Sequence, residues 1–447
     1  MHLTKHLLLC VSLLTTLILS PLAKADGVPA ILSMKERAAF IDNITELRVN
    51  TLMPGLMKQH NIDMWLLISR EYNEDPILKT MLPATWLSAR RTTILLFALN
   101  EQGNVDAYAI APYKIGNVFT KGWDKKAQPN QWQALNDIIE RYNPDNIALN
   151  TSTDWGHADG LVLGDYNTLM ANLPNAYKNK IISAEPLAVA WLEQRIPQEI
   201  DMYKHIVAIA HAIIAEGFSN KVITVGKTTS DDLVWWFRER VKELKLQTWF
   251  HPSIAIQRAD SKSFDHEDSF TNGYADNVIQ AGDLLHVDFG ITYLRLNTDT
   301  QQHAYVLKPG ESNAPAYLVD ALKKGNKLQD IFTAEFSEGK TGNQVLKAAR
   351  EKAIAQGLKP TIYTHPLGYH GHAAGTTLGM WDSQQGVPGD GDYPLHLNTA
   401  YSIELNNAVF IKPWNKEIRI MLEEDAIFDK TGVWYLNGRQ TELLLVK

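Results

Sequence analysis

Acidic side chains set inside strand-type apolar sequence constrain this chain more than any other feature. Four such places lie in its second half. Asp288 sits in Leu284-Leu-His-Val-Asp-Phe-Gly290, and eleven residues on, Asp299 sits in Asn297-Thr-Asp-Thr300. Glu404 lies in Ala400-Tyr-Ser-Ile-Glu-Leu405; Glu423 and Glu424 lie in Arg419-Ile-Met-Leu-Glu-Glu-Asp-Ala-Ile427. A carboxylate among Leu, Ile, Val and Phe is expensive to bury unless it is paired or held against a cation. One buried Asp is readily satisfied by backbone amides. Several in one region, with a histidine cluster between them, ask for a common explanation. That cluster is Thr364-His-Pro-Leu-Gly-Tyr-His-Gly-His-Ala-Ala-Gly375, which offers His365, His370 and His372.

Four carboxylates and one neutral imidazole around one cavity would push each other's pKa upward. Two divalent cations would balance the four negative charges. Oxygen-rich donors with a single nitrogen suit manganese, iron, cobalt or zinc, and do not choose among them. Two such ions acidify a water held between them and polarise a carbonyl. The pattern is hydrolytic equipment.

The rest of the chain frames that region. With 447 residues it exceeds one ordinary core and divides into two or three domains. A net charge of −7 without a basic block excludes a nucleic-acid binder. Up to about residue 190, short apolar runs at 64–69, 93–97, 105–110 and 146–149 read as strands, and 132–142 as a helix, giving an α/β unit with no cluster of chemistry. A boundary falls near Arg195-Ile-Pro197, where Pro197 suits the first turn of a helix. Beyond it, helices are expected from Thr228-Thr-Ser-Asp231, over 316–336 and over 341–356. Strands are expected at 284–292, 302–307, 400–405 and 418–428.

At the N-terminus, Lys5, the apolar run Leu7 to Leu19 and Ala23-Lys24-Ala25 have the layout of a cleavable export leader, residues 1–25. The run is too short to span a bilayer, and Cys10 lies inside it rather than at the cleavage point, so no stable membrane anchor is expected. Cleavage removes Cys10, the only cysteine, and leaves a periplasmic or secreted protein without disulfides.

Taken in order, Val287-Asp-Phe-Gly290, Asp299, Gly371-His-Ala-Ala-Gly375, Ile403-Glu404 and Glu423-Glu-Asp425 resemble the ligand motifs of the M24 metallopeptidases. That family includes Xaa-Pro aminopeptidase, prolidase, methionine aminopeptidase and the metal-free creatinase. The resemblance covers the whole mature chain. It implies an N-terminal α/β creatinase-like domain over 26–192 and a catalytic pita-bread domain over 193–447. It implies two divalent metal ions on Asp288, Asp299, His372, Glu404 and Glu423. Asp299 and Glu423 would bridge both ions, Asp288 would serve chiefly one, and Glu404 would also shuttle the proton of the attacking water. His365 would contact the scissile carbonyl or the leaving group.

Departures from the family pattern bear on substrate choice. Phe270 stands where the family carries a catalytic histidine, and His266 is the residue nearest to fill that role. Gly379 stands where many relatives have a further histidine, and Gly386 to Pro394 reads as a lengthened loop. His370 stays open as the alternative to His372, and Glu424 as the alternative to Glu423. The function implied is an exported dinuclear hydrolase acting on peptides, at Xaa-Pro bonds as an aminopeptidase or dipeptidase. A small-molecule hydrolase or lyase, or an inactive binding module, shares the fold. A homodimer is the assembly the resemblance allows.

Overall fold

The computed structural model describes residues 27–262, 264 and 277–447. The expected leader with Cys10, as well as His266 and Phe270, lie outside the described residues.

Period-two alternation builds the first sheet. In β1 (Met64–Arg70) and β2 (Thr92–Leu99), paired antiparallel with Trp65 opposite Phe97, alternate side chains go to opposite faces. Trp65, Leu67, Leu95 and Phe97 share a core with the helix Glu185–Glu193; Met64, Leu66, Ile94 and Leu96 share another with the helix Gln131–Tyr142. β3 (Val105–Ile110), β4 (Thr120–Lys121), β5 (Ile147–Leu149) and β6 (Ile181–Ser183) complete the order β4-β3-β2-β1-β5-β6, with β5 parallel to β1.

The second sheet has nine strands. β7 (Ser253–Gln257) and β8 (Leu284–Phe289) lie at one end. β9 (Thr292–Tyr293) and β10 (Leu296–Asn297) form a separate small hairpin before β11 (Thr300–Val306). β12 (Pro360–Ile362), β13 (His365–Leu367), β14 (Thr399–Ile411), β15 (Lys416–Asp429), β16 (Gly432–Tyr435) and β17 (Leu444–Val446) complete it. The main path runs β12-β14-β15-β11-β8-β7. Helices Pro197–Gly217 and Ser230–Glu243 pack on Leu285, Val287 and Phe289, while Ala316–Thr333 and Gly342–Ala355 pack on Ile403, Leu405, Ile420 and Leu422.

Two of the expected strands change length for a visible reason. The strand expected over 284–292 stops at Phe289, because Gly290 runs against the Thr298 carbonyl, 2.3 Å from where a Cβ would stand. The strand expected over 400–405 continues to Ile411, since β14 and β15 pair from Thr399↔Phe428 to Ile411↔Lys416. Left-handed Asn415 (φ 49°) helps to close that hairpin.

Between the halves lies a buried charge group. Arg48 donates to Glu199 at 2.5 Å and Arg195 to the same carboxylate at 3.0 Å; Arg48 also reaches the carbonyl of Gln194 at 2.8 Å. The ring of Tyr369 lies against both guanidinium groups, 4.8 Å from Arg195 and 5.3 Å from Arg48.

Candidate metal centre

Register brings the acids together. Glu404 pairs with Glu423, Glu423 with Gln301, and Gln301 with Asp288, so β14, β15, β11 and β8 contribute to one rung across the sheet. Side chains at directly paired positions project to the same side. Asp299 enters from two residues before Gln301. Adjacent residues on a strand alternate faces, which decides between the two glutamates: Glu424 turns away, accepting from His211 at 2.8 Å and from the Gln440 amide at 2.8 Å.

Around this rung, donors fix the carboxylates. The Gln301 amide donates to Glu404 at 2.5 Å and to Glu423 at 2.8 Å, and its oxygen lies 2.9 Å from His286 Nε2. Ser402 donates to Glu423. The Thr364 hydroxyl accepts from the Glu404 amide and donates to the Glu404 carbonyl, each at 2.9 Å, tying β14 to the residue that precedes β13. Asp425 accepts from the Asp299 amide at 3.1 Å.

His365 stands at the centre. It begins β13 and pairs with Ser402, which carries it beside Glu404. Its Nδ1 lies 3.0 Å from the Pro366 carbonyl, an acceptor, so Nδ1 carries the hydrogen and Nε2 keeps a lone pair in the neutral ring. That Nε2 faces Asp299 at 3.7 Å, Glu423 at 3.7 Å and Glu404 at 3.9 Å. Burial lowers the His365 pKa to about 4 and keeps the ring neutral.

This departs from the expectation that His372 is the nitrogen among the acids. His372 is exposed, sits edge-on to His365 with ring centroids 4.6 Å apart, and groups with Asp299 and His365 only. His370 turns the other way and stacks on His157 at 4.2 Å. Gly371, beside His372, makes room for Trp249, whose ring lies 2.3 Å from where a Cβ would stand.

The donor set fits a cation. Asp288 Oδ1, Asp299 Oδ1 and His365 Nε2 are buried with no hydrogen-bond partner. Three overlapping groups, Asp299–His365–His372, His365–Glu404–Glu423 and Asp288–Asp299–Glu423, each bring their ligand atoms within 4.8 Å of one another. Burial, and then the neighbouring Glu423, hold the Asp288, Asp299 and Glu404 carboxyls well above the ordinary carboxylate range. Burial likewise pushes Glu423 to about 7. Buried lone pairs left without donors, set among carboxylates that Gln301 and Ser402 satisfy only in part, ask for positive charge at their focus.

The cluster lines a cavity of about 690 Å³. Trp249, Phe250, Tyr363 and Trp381 form its apolar walls, and the loop Asp154 to His157 of the first half closes one side. That half, read from sequence as free of chemistry, therefore borders the site.

A match to the model of metallopeptidase family M24 spans residues 201–428, about half of the chain, and contains every residue of this rung. The chain belongs to metallopeptidase family M24. In sequence it is 23% identical over 242 residues to the uncharacterized peptidase YqhT of Bacillus subtilis (strain 168), covering 51% of this chain and 62% of that protein, under two thirds of its length. In structure, this M24 member is similar to X-Pro aminopeptidase from Thermotoga maritima MSB8, with TM-score 0.61 and 16% identity over 88% of this chain and 100% of the other. It is also similar to Xaa-Pro dipeptidase from Bacillus anthracis, with TM-score 0.54 and 15% identity over 92% and 100%. These likenesses show the mixed α/β fold of the M24 pita-bread proteins, shared over both halves of the chain. No helix among the described residues is long and apolar enough to cross a membrane.

Proposed function

We propose that this M24 member is an exported, dinuclear metal-dependent hydrolase that cleaves peptide bonds at Xaa-Pro, as an aminopeptidase or dipeptidase. One observation carries the reading: His365 Nε2 and Asp299 Oδ1, buried without donors, converge with Glu404 and Glu423 on the floor of an aromatic-walled cavity. Asp288, Asp299, Glu404 and Glu423 would hold the ions, with His365 rather than His372 as the nitrogen donor. Four carboxylate charges set the expected number at two. Manganese, cobalt, iron or zinc suits the donors. When bound, the ions supply the positive charge that polarises a scissile carbonyl and acidifies a water.

The remaining chemistry belongs to side chains. Glu404 takes the proton of the attacking water and returns it to the leaving amine. Gln301 holds Glu404 and Glu423 at a fixed separation. His372, beside His365 and open to the cavity, is placed to donate to a bound carbonyl. Trp249, Phe250 and Trp381 exclude water and suit an apolar ring such as that of proline. Residues 1–25 act as the leader to the periplasm or exterior, 26–192 and 193–447 form the two domains, and a homodimer is the assembly.

The test is turnover by metal-reconstituted protein of Xaa-Pro dipeptides and longer X-Pro-Y peptides, beside elemental analysis. About two ions per chain and cleavage of either substrate set support the reading. Activity retained with no metal ends the metal part, and no cleavage of any peptide ends the peptidase part.

A further inference from the structure

A second cavity, of about 610 Å³, lies between the two halves and has the opposite character. Arg37, Lys79, Lys245 and Arg295 line it together with His370, and among the described residues no Asp or Glu does. The first cavity is lined by acids and histidines and by no Lys or Arg among the described residues. Stacked His157 and His370 stand between them, each lining one.

Arg295 is held there at a conformational cost. β9 and β10 pair Tyr293 with Leu296, leaving Leu294-Arg295 as a two-residue hairpin loop with φ of 57° and 67°. Two consecutive left-handed residues are the type I′ pattern, which favours Asn-Gly; a leucine and an arginine in those places are strained. Beside the hairpin, where Gln247 bridges to Thr292, Lys245 is also left-handed (φ 57°), and its carbonyl accepts from Arg37 at 2.6 Å.

The Arg295 guanidinium donates to the Thr80 carbonyl at 3.0 Å. It makes no ion pair with any described carboxylate within 4.0 Å. Burial is the largest influence on it and lowers its pKa, with Tyr369 and Asp42 acting in the opposite direction, so the cation is partly desolvated and its nearby counter-charge, Asp42, makes no direct pair with it. Met34, Trp86 and Leu87 add an apolar wall.

We propose that this cleft binds a ligand that presents an oxyanion, carboxylate or phosphate, on an apolar body, with Arg295, Lys79 and Lys245 as its cationic partners. Arg295 offers the planar fork that carboxylate and phosphate share. The two lysines add charge from elsewhere in the lining. The proposal does not depend on the peptidase reading.

Calorimetric titration of the full-length mature protein with inorganic phosphate, and separately with benzoate, tests it. Wild type is expected to bind at least one of them with millimolar or tighter affinity. Tighter phosphate binding assigns a phosphorylated ligand, and tighter benzoate binding a carboxylate on an apolar body. Arg295→Gln should weaken binding about tenfold or more, the loss of one charge-assisted contact, and Lys79→Gln should weaken it less. Arg295→Gly, which relieves the left-handed residue, should lose the anion while keeping or raising Tm. Asp299→Asn, which alters the metal cluster, should bind the anion as wild type does. No binding of either anion overturns the proposal. So does binding that survives Arg295→Gln and Arg295→Gly, or that disappears with Asp299→Asn.

Discussion

The six-stranded and nine-stranded sheets are built by the same alternation but carry opposite interiors. In the first, the buried positions of β1 and β2 hold Met, Trp, Leu, Ile, Phe and Ala beside Ser69 and Thr93, and no titratable group. In the second, β8, β11, β14 and β15 bury His286, Asp299 at the lip of β11, His303, Glu404, Glu423, Glu424 and Asp425. Apolar strands are stabilised by leaving water. A strand that buries carboxylates is stabilised only if something compensates them, so stability in the second sheet is tied to a ligand, and in the first it is not.

The sharpest way to break this contrast is at Glu404. Glu404→Gln is expected to lower kcat by about 10²–10⁴, the usual weight of a general acid-base group, with the fold intact. Steady-state turnover beside circular dichroism checks it, and a variant within a few-fold of wild type moves proton transfer to another group. Next in size is the choice of nitrogen donor. His365→Ala should lower metal affinity by about 10²-fold or more, whereas His372→Ala should keep the metals and lose turnover. Metal titration of the pair decides between them, and metal loss confined to His372→Ala restores the sequence-based assignment.

The first sheet should respond in another currency. Leu96→Ala, at a buried position of β2, is expected to destabilise by about 2–5 kcal/mol in urea unfolding while leaving metal stoichiometry unchanged. Loss of metal in that variant would mean that the halves do not separate stability from chemistry. The smallest expected effect concerns His303. Its Nδ1 lies 3.1 Å from the Leu285 carbonyl, its Nε2 accepts from the Met421 amide at 3.1 Å, and burial lowers its pKa from 6.5 to about 4. The unfolded chain therefore takes up this proton first. The stability His303 contributes is present above pH 6.5 and is lost as pH falls toward 4, up to roughly 3 kcal/mol. Urea midpoints at several pH values should show a steeper acid-side decline for wild type than for His303→Gln; parallel curves would remove His303 from the account.

Much of the second sheet was legible because a carboxylate in apolar strand sequence is a local signal. The ligand atoms of Asp288, Asp299, Glu404 and Glu423, which the family resemblance singles out, lie in one group of overlapping clusters. Register was not legible. Whether Glu423 or Glu424 faces Glu404 depends on the parity of pairing between two long strands, and neither segment encodes it alone. The same holds for His365: a Gly-His-x-x-Gly frame drew attention to His372, although His365-Pro-Leu-Gly368 is itself a His-x-x-Gly run following apolar Pro360–Ile362. Pairing with Ser402, nearly forty residues away, gives His365 its place. Gln301 could have been found, since it lies two residues after Asp299 and so shares its face. The loop Asp154 to His157 could not, because its position arises only from how the halves pack.

That packing limits how the protein can be taken apart. Arg48 comes from the first half, and Arg195 and Glu199 from the junction and the helix after it, all buried and sharing one carboxylate beneath Tyr369. Severing the chain near residue 194 would leave Glu199 and Arg195 open to water on one fragment and a stranded Arg48 on the other. Breaking a buried pair from one side destabilises by about 3–5 kcal/mol, a large share of what holds an ordinary domain together. The catalytic half is therefore not a portable cassette: truncation or domain exchange succeeds only when the donor carries its own answer to Arg48.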